Sequence, residues 1–133
     1  MKIATVSMNV LDLDKVKDFY VKYFGAKVDD KYENFRTGYN YCFLSFDGET
    51  RLLLVSGNNI AESKKTYNAS GFNRLSIAVD GADKVQELAT QIARDGYQVV
   101  SGFRMNGYGE YESRVLDPEG NEVEIATVGN DGK

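Results

Sequence analysis

Glu112 and Glu124 are the candidate carboxylates for proton transfer in this chain, although their spacing in the sequence does not place them at a working distance. Proton transfer by a carboxylate pair needs one raised pKa beside an ionised partner, and burial can supply it. Both glutamates lie in strand-like runs, Tyr111–Leu116 and Glu122–Val128. Carboxylates carry this weight because the 133-residue chain has no histidine. It therefore lacks an imidazole base near neutral pH, a Ser-His or Cys-His nucleophile pair, and an imidazole metal ligand. Arg104 and Glu112 flank Gly107-Tyr108-Gly109, which reads either as a mobile lid or as an ordinary turn. It is no phosphate loop, since neither a third glycine nor a Lys-Ser/Thr follows. Tyr41, Phe43, Tyr108 and Tyr111 are able to stack on a planar ligand, although most of the nine tyrosines and seven phenylalanines must serve as core. Cys42, in Tyr41-Cys42-Phe43-Leu44, reads as a buried inert thiol rather than a nucleophile.

Composition narrows the function classes. The net charge of −4 and pI near 4.9 disfavour nucleic acid and anionic membranes, which need a basic stripe. An acidic surface tolerates a cationic ligand, but it also simply keeps a protein soluble. The content of 42% hydrophobic and 27% charged residues is that of an ordinary globular domain. No apolar run approaches the ~20 residues of a membrane span, and the N-terminus lacks a signal-type apolar core, so the expected location is the cytoplasm. The single cysteine excludes an intrachain disulfide. Residues Gly129 to Lys133 are expected to form a frayed polar tail.

These side chains must be positioned by a repeated unit. Thr5 to Val16 and Arg74 to Val85 match at a spacing of 69, with Val6-Ser7-Met8 on Leu75-Ser76-Ile77 and Asp14-Lys15-Val16 on Asp83-Lys84-Val85. Each copy opens on an alternating, half-buried strand: Val6, Met8 and Val10 oppose Thr5, Ser7 and Asn9, and Leu75, Ile77 and Val79 oppose Arg74, Ser76 and Ala78. A helix follows. The first is capped by Asp12, carries Leu13, Val16, Phe19, Tyr20, Tyr23 and Phe24 as its apolar stripe, and ends at Gly25. The second carries Val85, Leu88, Ala89, Ile92 and Ala93 and ends at Gly96. Three strands are predicted after each helix: Lys27–Glu33, Phe35–Phe46 and Arg51–Ser56, then Tyr97–Phe103, Tyr111–Leu116 and Glu122–Val128.

The expected fold is α+β: two βαβββ modules, residues 1–57 and 71–128, joined by a polar linker over 58–70 within one domain. Each sheet should bury its apolar face on its helix. The opposite faces, with Thr5, Ser7, Asn9, Arg74, Ser76 and Glu124, are too polar for a core; curved mixed sheets around a cavity would account for them.

With this layout the chain resembles the vicinal oxygen chelate superfamily, the glyoxalase/bleomycin resistance protein/dioxygenase group, and especially its small bacterial glyoxalase I-like members. The resemblance runs from Met1 to Val128. It is carried by Phe19-Tyr20 through Phe24-Gly25, by Gly102 to Ser113, and by Leu116-Asp117-Pro118-Glu119-Gly120-Asn121 to Glu124. It implies paired βαβββ modules, frequent assembly as a homodimer, a cavity, and a divalent metal held by two histidines and two glutamates on four strands. Those four positions fall here on Thr5, Leu53, Arg74 and Glu124, and only the last keeps its ligand type. Arginine offers no lone pair and repels cations, and leucine offers no donor. No metal site and no cofactor are therefore expected.

The resulting expectation is a metal-free, glyoxalase-like protein that binds an unidentified small molecule through Thr5, Leu53, Arg74, Glu124, Arg104 and Tyr111. Arg74 would pair with Glu124 through two parallel N–H groups and face an anionic or carbonyl-bearing ligand. Three alternatives stay open: a lyase or isomerase working through Glu124 and Glu112 without the usual metal, a bleomycin-type antibiotic-binding resistance protein, and a family member kept for protein–protein contact.

Overall fold

Among the described residues, two helices and eight strands form in the order that the repeat implies. The computed structural model describes residues 1–127; the expected tail at Gly129–Lys133 lies outside the described residues. The chain divides into two compact units, Met1–Lys64 and a second beginning at Lys65.

In the first unit β1 (Thr5–Asn9), α1 (Leu13–Phe24), β2 (Lys27–Asn34), β3 (Tyr39–Ser45) and β4 (Arg51–Ser56) make a mixed sheet in the order β1-β4-β3-β2. β1 runs parallel to β4, and the other pairs are antiparallel. Asp12 stays extended and its Oδ1 accepts from the Lys15 amide at 3.1 Å, so one orphan donor of the helix start is satisfied. Gly25 ends the helix at φ 67°, in the left-handed region. Asp12→Ala should cost about 1 kcal/mol, read as a lower midpoint in urea unfolding. Val16, Phe19, Tyr20 and Tyr23 of α1 are buried, as are Cys42, Leu44, Leu52 and Leu54 on the sheet. Burial pushes the Cys42 thiol up, which keeps it protonated and inert.

The strand predicted from Phe35 begins only at Tyr39. Residues 35–38 form a turn instead, in which Asn34 Oδ1 accepts from the amides of Arg36 and Thr37 and Gly38 adopts φ 79°. A short polar side chain that bonds the backbone two and three residues on outweighs the β propensity of Phe35.

The second unit repeats the plan with β5 (Leu75–Ala78), α2 (Ala82–Arg94), β6 (Val99–Met105), β7 (Tyr111–Leu116) and β8 (Glu122–Ala126), in the order β5-β8-β7-β6. Val85, Leu88, Ala89 and Ile92 of α2 are buried, as are Val115, Val123 and Ile125 of the sheet. The helix stops one residue earlier than the glycine predicts: Asp95 caps it in a non-left-handed conformation and Gly96 follows at φ 99°. β6 starts at Val99 rather than Tyr97.

Register shows how deep the repeat goes. Ser7 faces Leu53 across the β1–β4 pair, and Ser76 faces Glu124 across β5–β8. Phe43 faces Leu53, and Arg114 faces Glu124. Equivalent backbone positions therefore carry an apolar set in the first sheet and a charged set in the second.

Candidate functional site

Strand alternation assembles the charged set. Glu112 and Arg114 share one face of β7 because they are two residues apart. Glu124 lies opposite Arg114 on β8, and Ser76 lies opposite Glu124 on β5. Arg74, two residues before Ser76, continues that face just ahead of β5. Arg104 joins through irregular pairing: it faces Glu112, while Ser101 faces Arg114, so three residues of β6 span two of β7.

The result is a network of three guanidinium groups and two carboxylates. Glu112 is fully buried. Its Oε1 accepts from Arg104 Nη1 at 2.6 Å and from Arg114 Nη2 at 3.0 Å. Glu124 is 4% exposed; its Oε1 accepts from the Ser76 hydroxyl at 3.0 Å. Its Oε2 lies 3.4 Å from Arg74 Nε and 3.7 Å from Arg114 Nε. Arg74 thus meets Glu124 through Nε, not through the two parallel N–H bonds expected from sequence. Arg114 binds one glutamate and approaches the other. With both glutamates ionised, three buried atoms of the network have no hydrogen-bond partner among the described residues: Arg74 Nε, Arg114 Nε and Glu112 Oε2; a proton on one glutamate lets it donate to the other.

The two carboxyl groups are shifted in opposite directions. Burial is the strongest influence on Glu124 and raises its pKa; a hydrogen bond with Glu112 and the charge of Glu112 add to this, against Ser76 and Arg74. Burial also opposes ionisation of Glu112, but the hydrogen bond with Glu124, together with Arg114 and Arg104, outweighs it and holds Glu112 low. Such a pair takes up its protons jointly.

The sign of the resulting pH dependence follows. Glu124, raised above its ordinary 4.5, adds stability at low pH that is lost as pH rises through its folded value. Glu112, lowered from 4.5, adds stability at higher pH that is lost as pH falls through its folded value. Urea unfolding from about pH 4 to 7 should therefore show a fall in wild-type stability just above the ordinary carboxylate range that Glu124→Gln removes. Parallel curves for the two proteins would contradict this.

Thr5 and Leu53 sit on the first sheet, opposite Arg51 and Ser7 respectively. There the Arg51 guanidinium lies 4.0 Å from the centre of the Phe43 ring and within 3.8 Å of Asp29 and 3.6 Å of Asp30. Tyr111 is not part of the charged network: alternation places it with Ser113 and Val115, and its ring stacks on Phe103 at 5.4 Å. The Gly107–Gly109 segment is a pinned turn. Asn106, 8% exposed, accepts through Oδ1 from the amides of Tyr108 and Glu110, and its own amide bonds the Glu110 carbonyl at 2.7 Å. Tyr108 at its tip is 73% exposed, and the charge of Glu124, with lesser effects from burial, Glu110 and Glu112, raises its phenol pKa. Arg114 is the residue that sequence reasoning missed. Its signal was present in the alternation from Glu112 and in the match to Phe43 at the offset that relates Leu53 to Glu124. Among the described residues no group of three or more His, Cys, Asp or Glu side chains is placed to hold a metal ion.

Comparison with known proteins agrees with this architecture. Lactoylglutathione lyase of Escherichia coli O157:H7 is 22% identical over 129 residues, covering 94% of this chain and 91% of that protein. Among solved structures, the trypanothione-dependent glyoxalase I of Leishmania major superposes with a TM-score of 0.75 at 23% identity, covering 94% of this chain and 85% of that one. A glyoxalase/bleomycin resistance protein/dioxygenase domain from Frankia reaches 0.79 at 16% identity, covering 95% and 96%. At these identities the structures speak for the fold. The family profile matches residues 2–125, and on that match the chain belongs to the glyoxalase/bleomycin resistance protein/dioxygenase superfamily.

Proposed function

We propose that this protein binds a small molecule on the charged face of its second sheet without the help of a divalent metal ion. The observation that carries this reading is the state of Glu124. Both its oxygens are engaged, one by Ser76 and the other by the approaching Nε groups of Arg74 and Arg114. The positions that correspond to the family's metal ligands are Thr5, Leu53, Arg74 and Glu124. They offer one hydroxyl, one aliphatic group, one guanidinium and one carboxylate already facing cations. Such a donor set does not fit a divalent ion, which needs several anionic or neutral lone-pair donors and no neighbouring positive charge.

Calorimetric titration of the chelator-treated protein with nickel, zinc and manganese ions is expected to give no stoichiometric micromolar binding. Stoichiometric uptake of any of them would overturn the reading. Homodimeric assembly belongs to the same proposal and is checked by light scattering.

A second reading is catalytic, favoured by the opposed pKa shifts of Glu112 and Glu124. A carboxyl whose pKa is raised beside a partner whose pKa is lowered is equipped for acid–base work without metal. Lactoylglutathione lyase activity, the activity named for the Escherichia coli relative, is the assay to run first. Metal-independent turnover lost in Glu124→Gln would support catalysis; absence of turnover leaves binding as the role. A bleomycin-type cationic antibiotic is disfavoured as ligand, because the network already carries more guanidinium groups than carboxylates.

A further inference from the structure

Asn106-Gly107 is the chain's only Asn–Gly pair. An asparagine carboxamide is open to attack by the backbone nitrogen of the next residue, and a glycine there leaves the approach free of a Cβ. The fold adds no obstacle at Gly107: the residue is exposed, and a Cβ built on it would meet no atom within 4 Å. Its N–H bonds no described residue, whereas the amides of Asn106, Tyr108, Gly109 and Glu110 around it are all engaged. Asn106 itself is only 8% exposed. Burial shields its carboxamide carbon from water but not from a nitrogen of the chain one residue on.

The carboxamide is held in a way that favours addition to its carbon. Oδ1 accepts from the Tyr108 amide at 3.1 Å and from the Glu110 amide at 2.9 Å. Two such donors stabilise the negative charge that this oxygen gains when a nucleophile adds. On the other side of the group, Nδ2 lies 3.5 Å from Glu110 Oε1, close to a carboxyl able to relay a proton to a departing nitrogen. Asn34 and Asn121 also have their side chains held in turns, but Phe35 and Glu122 follow them and crowd the approach.

We propose that Asn106 is a site of spontaneous covalent modification in the folded protein. The Gly107 nitrogen loses its proton and bonds to Asn106 Cγ. The Cγ–Nδ2 bond breaks, ammonia leaves, and a cyclic imide closes. Water then opens the ring at either carbonyl, which gives aspartate or isoaspartate at position 106 with no oxidant or reductant. Each event adds a negative charge to the turn just beyond Arg104. Aspartate would keep both N–H bonds of the turn in charge-assisted form. Isoaspartate lengthens the backbone between β6 and β7, the strands that set Arg104 opposite Glu112, and so places an ageing mark beside the charged network. None of this depends on a metal or a ligand at the charged face. The pinned turn restrains the rotations that ring closure needs, so the folded chain should convert more slowly than the denatured chain.

The test is prolonged incubation of the full chain in mildly alkaline buffer at body temperature, followed by peptide mapping by mass spectrometry and enzymatic methylation of isoaspartate. Aspartate and isoaspartate are expected at position 106, with ammonia released in equal amount, before any other asparagine of residues 1–127 converts. Gly107→Ala is the matched control, because a methyl group there meets open space and the backbone lies outside the left-handed region. It should slow conversion at least about tenfold. If Gly107→Ala does not fold, the wild-type time course decides alone. An Asn106 still intact in the folded chain after about ten times the period that the urea-denatured chain needs would overturn the proposal. Earlier conversion of another asparagine of residues 1–127, or equal rates in wild type and folded Gly107→Ala, would overturn it as well.

Discussion

Replacing Glu112 with alanine should destabilise the protein by about 3 kcal/mol, near the lower end of the ~3–5 kcal/mol expected when one member of a buried ion pair is removed. Glu112 is fully buried and is the only carboxylate that Arg104 contacts among the described residues. Its loss strands the buried part of Arg114 as well, although Arg114 keeps its approach to Glu124. The figure sits low in the range because half of the Arg104 side chain is exposed, so water can take over part of its solvation. Glu112→Gln should cost clearly less than Glu112→Ala, since an amide retains the shape and one acceptor oxygen. Urea unfolding at neutral pH measures both. A cost for Glu112→Ala within the ~0.5 kcal/mol of an ordinary surface change would mean that the network does not need its central carboxylate.

The same substitution tests whether the network has a purely structural role. Buried ion pairs are weak evidence of stabilisation, because well-packed apolar residues of similar volume often do as well. The first sheet illustrates the point within this chain. At the positions equivalent to Glu112, Arg114 and Glu124 it carries Tyr41, Phe43 and Leu53, and the same β-pairing forms. The three charged side chains at these positions of the second sheet are thus not required by the β-pairing.

What the sequence makes legible here is the backbone plan. Alternation in Thr5–Val10 and Arg74–Val79, the Asp12 cap and the paired glycines located both modules, because each signal acts within a few residues. The match of Leu53 to Glu124 could be read from spacing because β4 and β8 run without bulges in their pairing with β3 and β7. Arg104 was named but its partner could not be derived. The bulges in β6 shift its register between Val99 and Ser101 and again between Ser101 and Arg104, so counting residues no longer tells which face a side chain takes. Tyr111 was named for its aromatic ring, and alternation in β7 places it on the face away from Glu112, where it stacks on Phe103. The turn at 35–38 escaped notice because its signal is a single side-chain acceptor, Asn34, whose effect depends on backbone geometry.

Leu54→Ala and Ile125→Ala should each cost about 2–5 kcal/mol. The two residues occupy equivalent places in β4 and β8, facing Met8 and Cys42 in one sheet and Ile77 and Ser113 in the other. Both are completely buried. Truncation removes the transfer free energy of the lost methyl and methylene groups and leaves a cavity whose cost depends on how far the neighbours relax. Ile125 packs on the side of the sheet that faces α2, opposite Glu124, so its loss should lower the unfolding midpoint in urea through the packing beneath the charged face and not through the network itself. A midpoint for either variant within the ~0.5 kcal/mol of an ordinary surface change would contradict the burial argument.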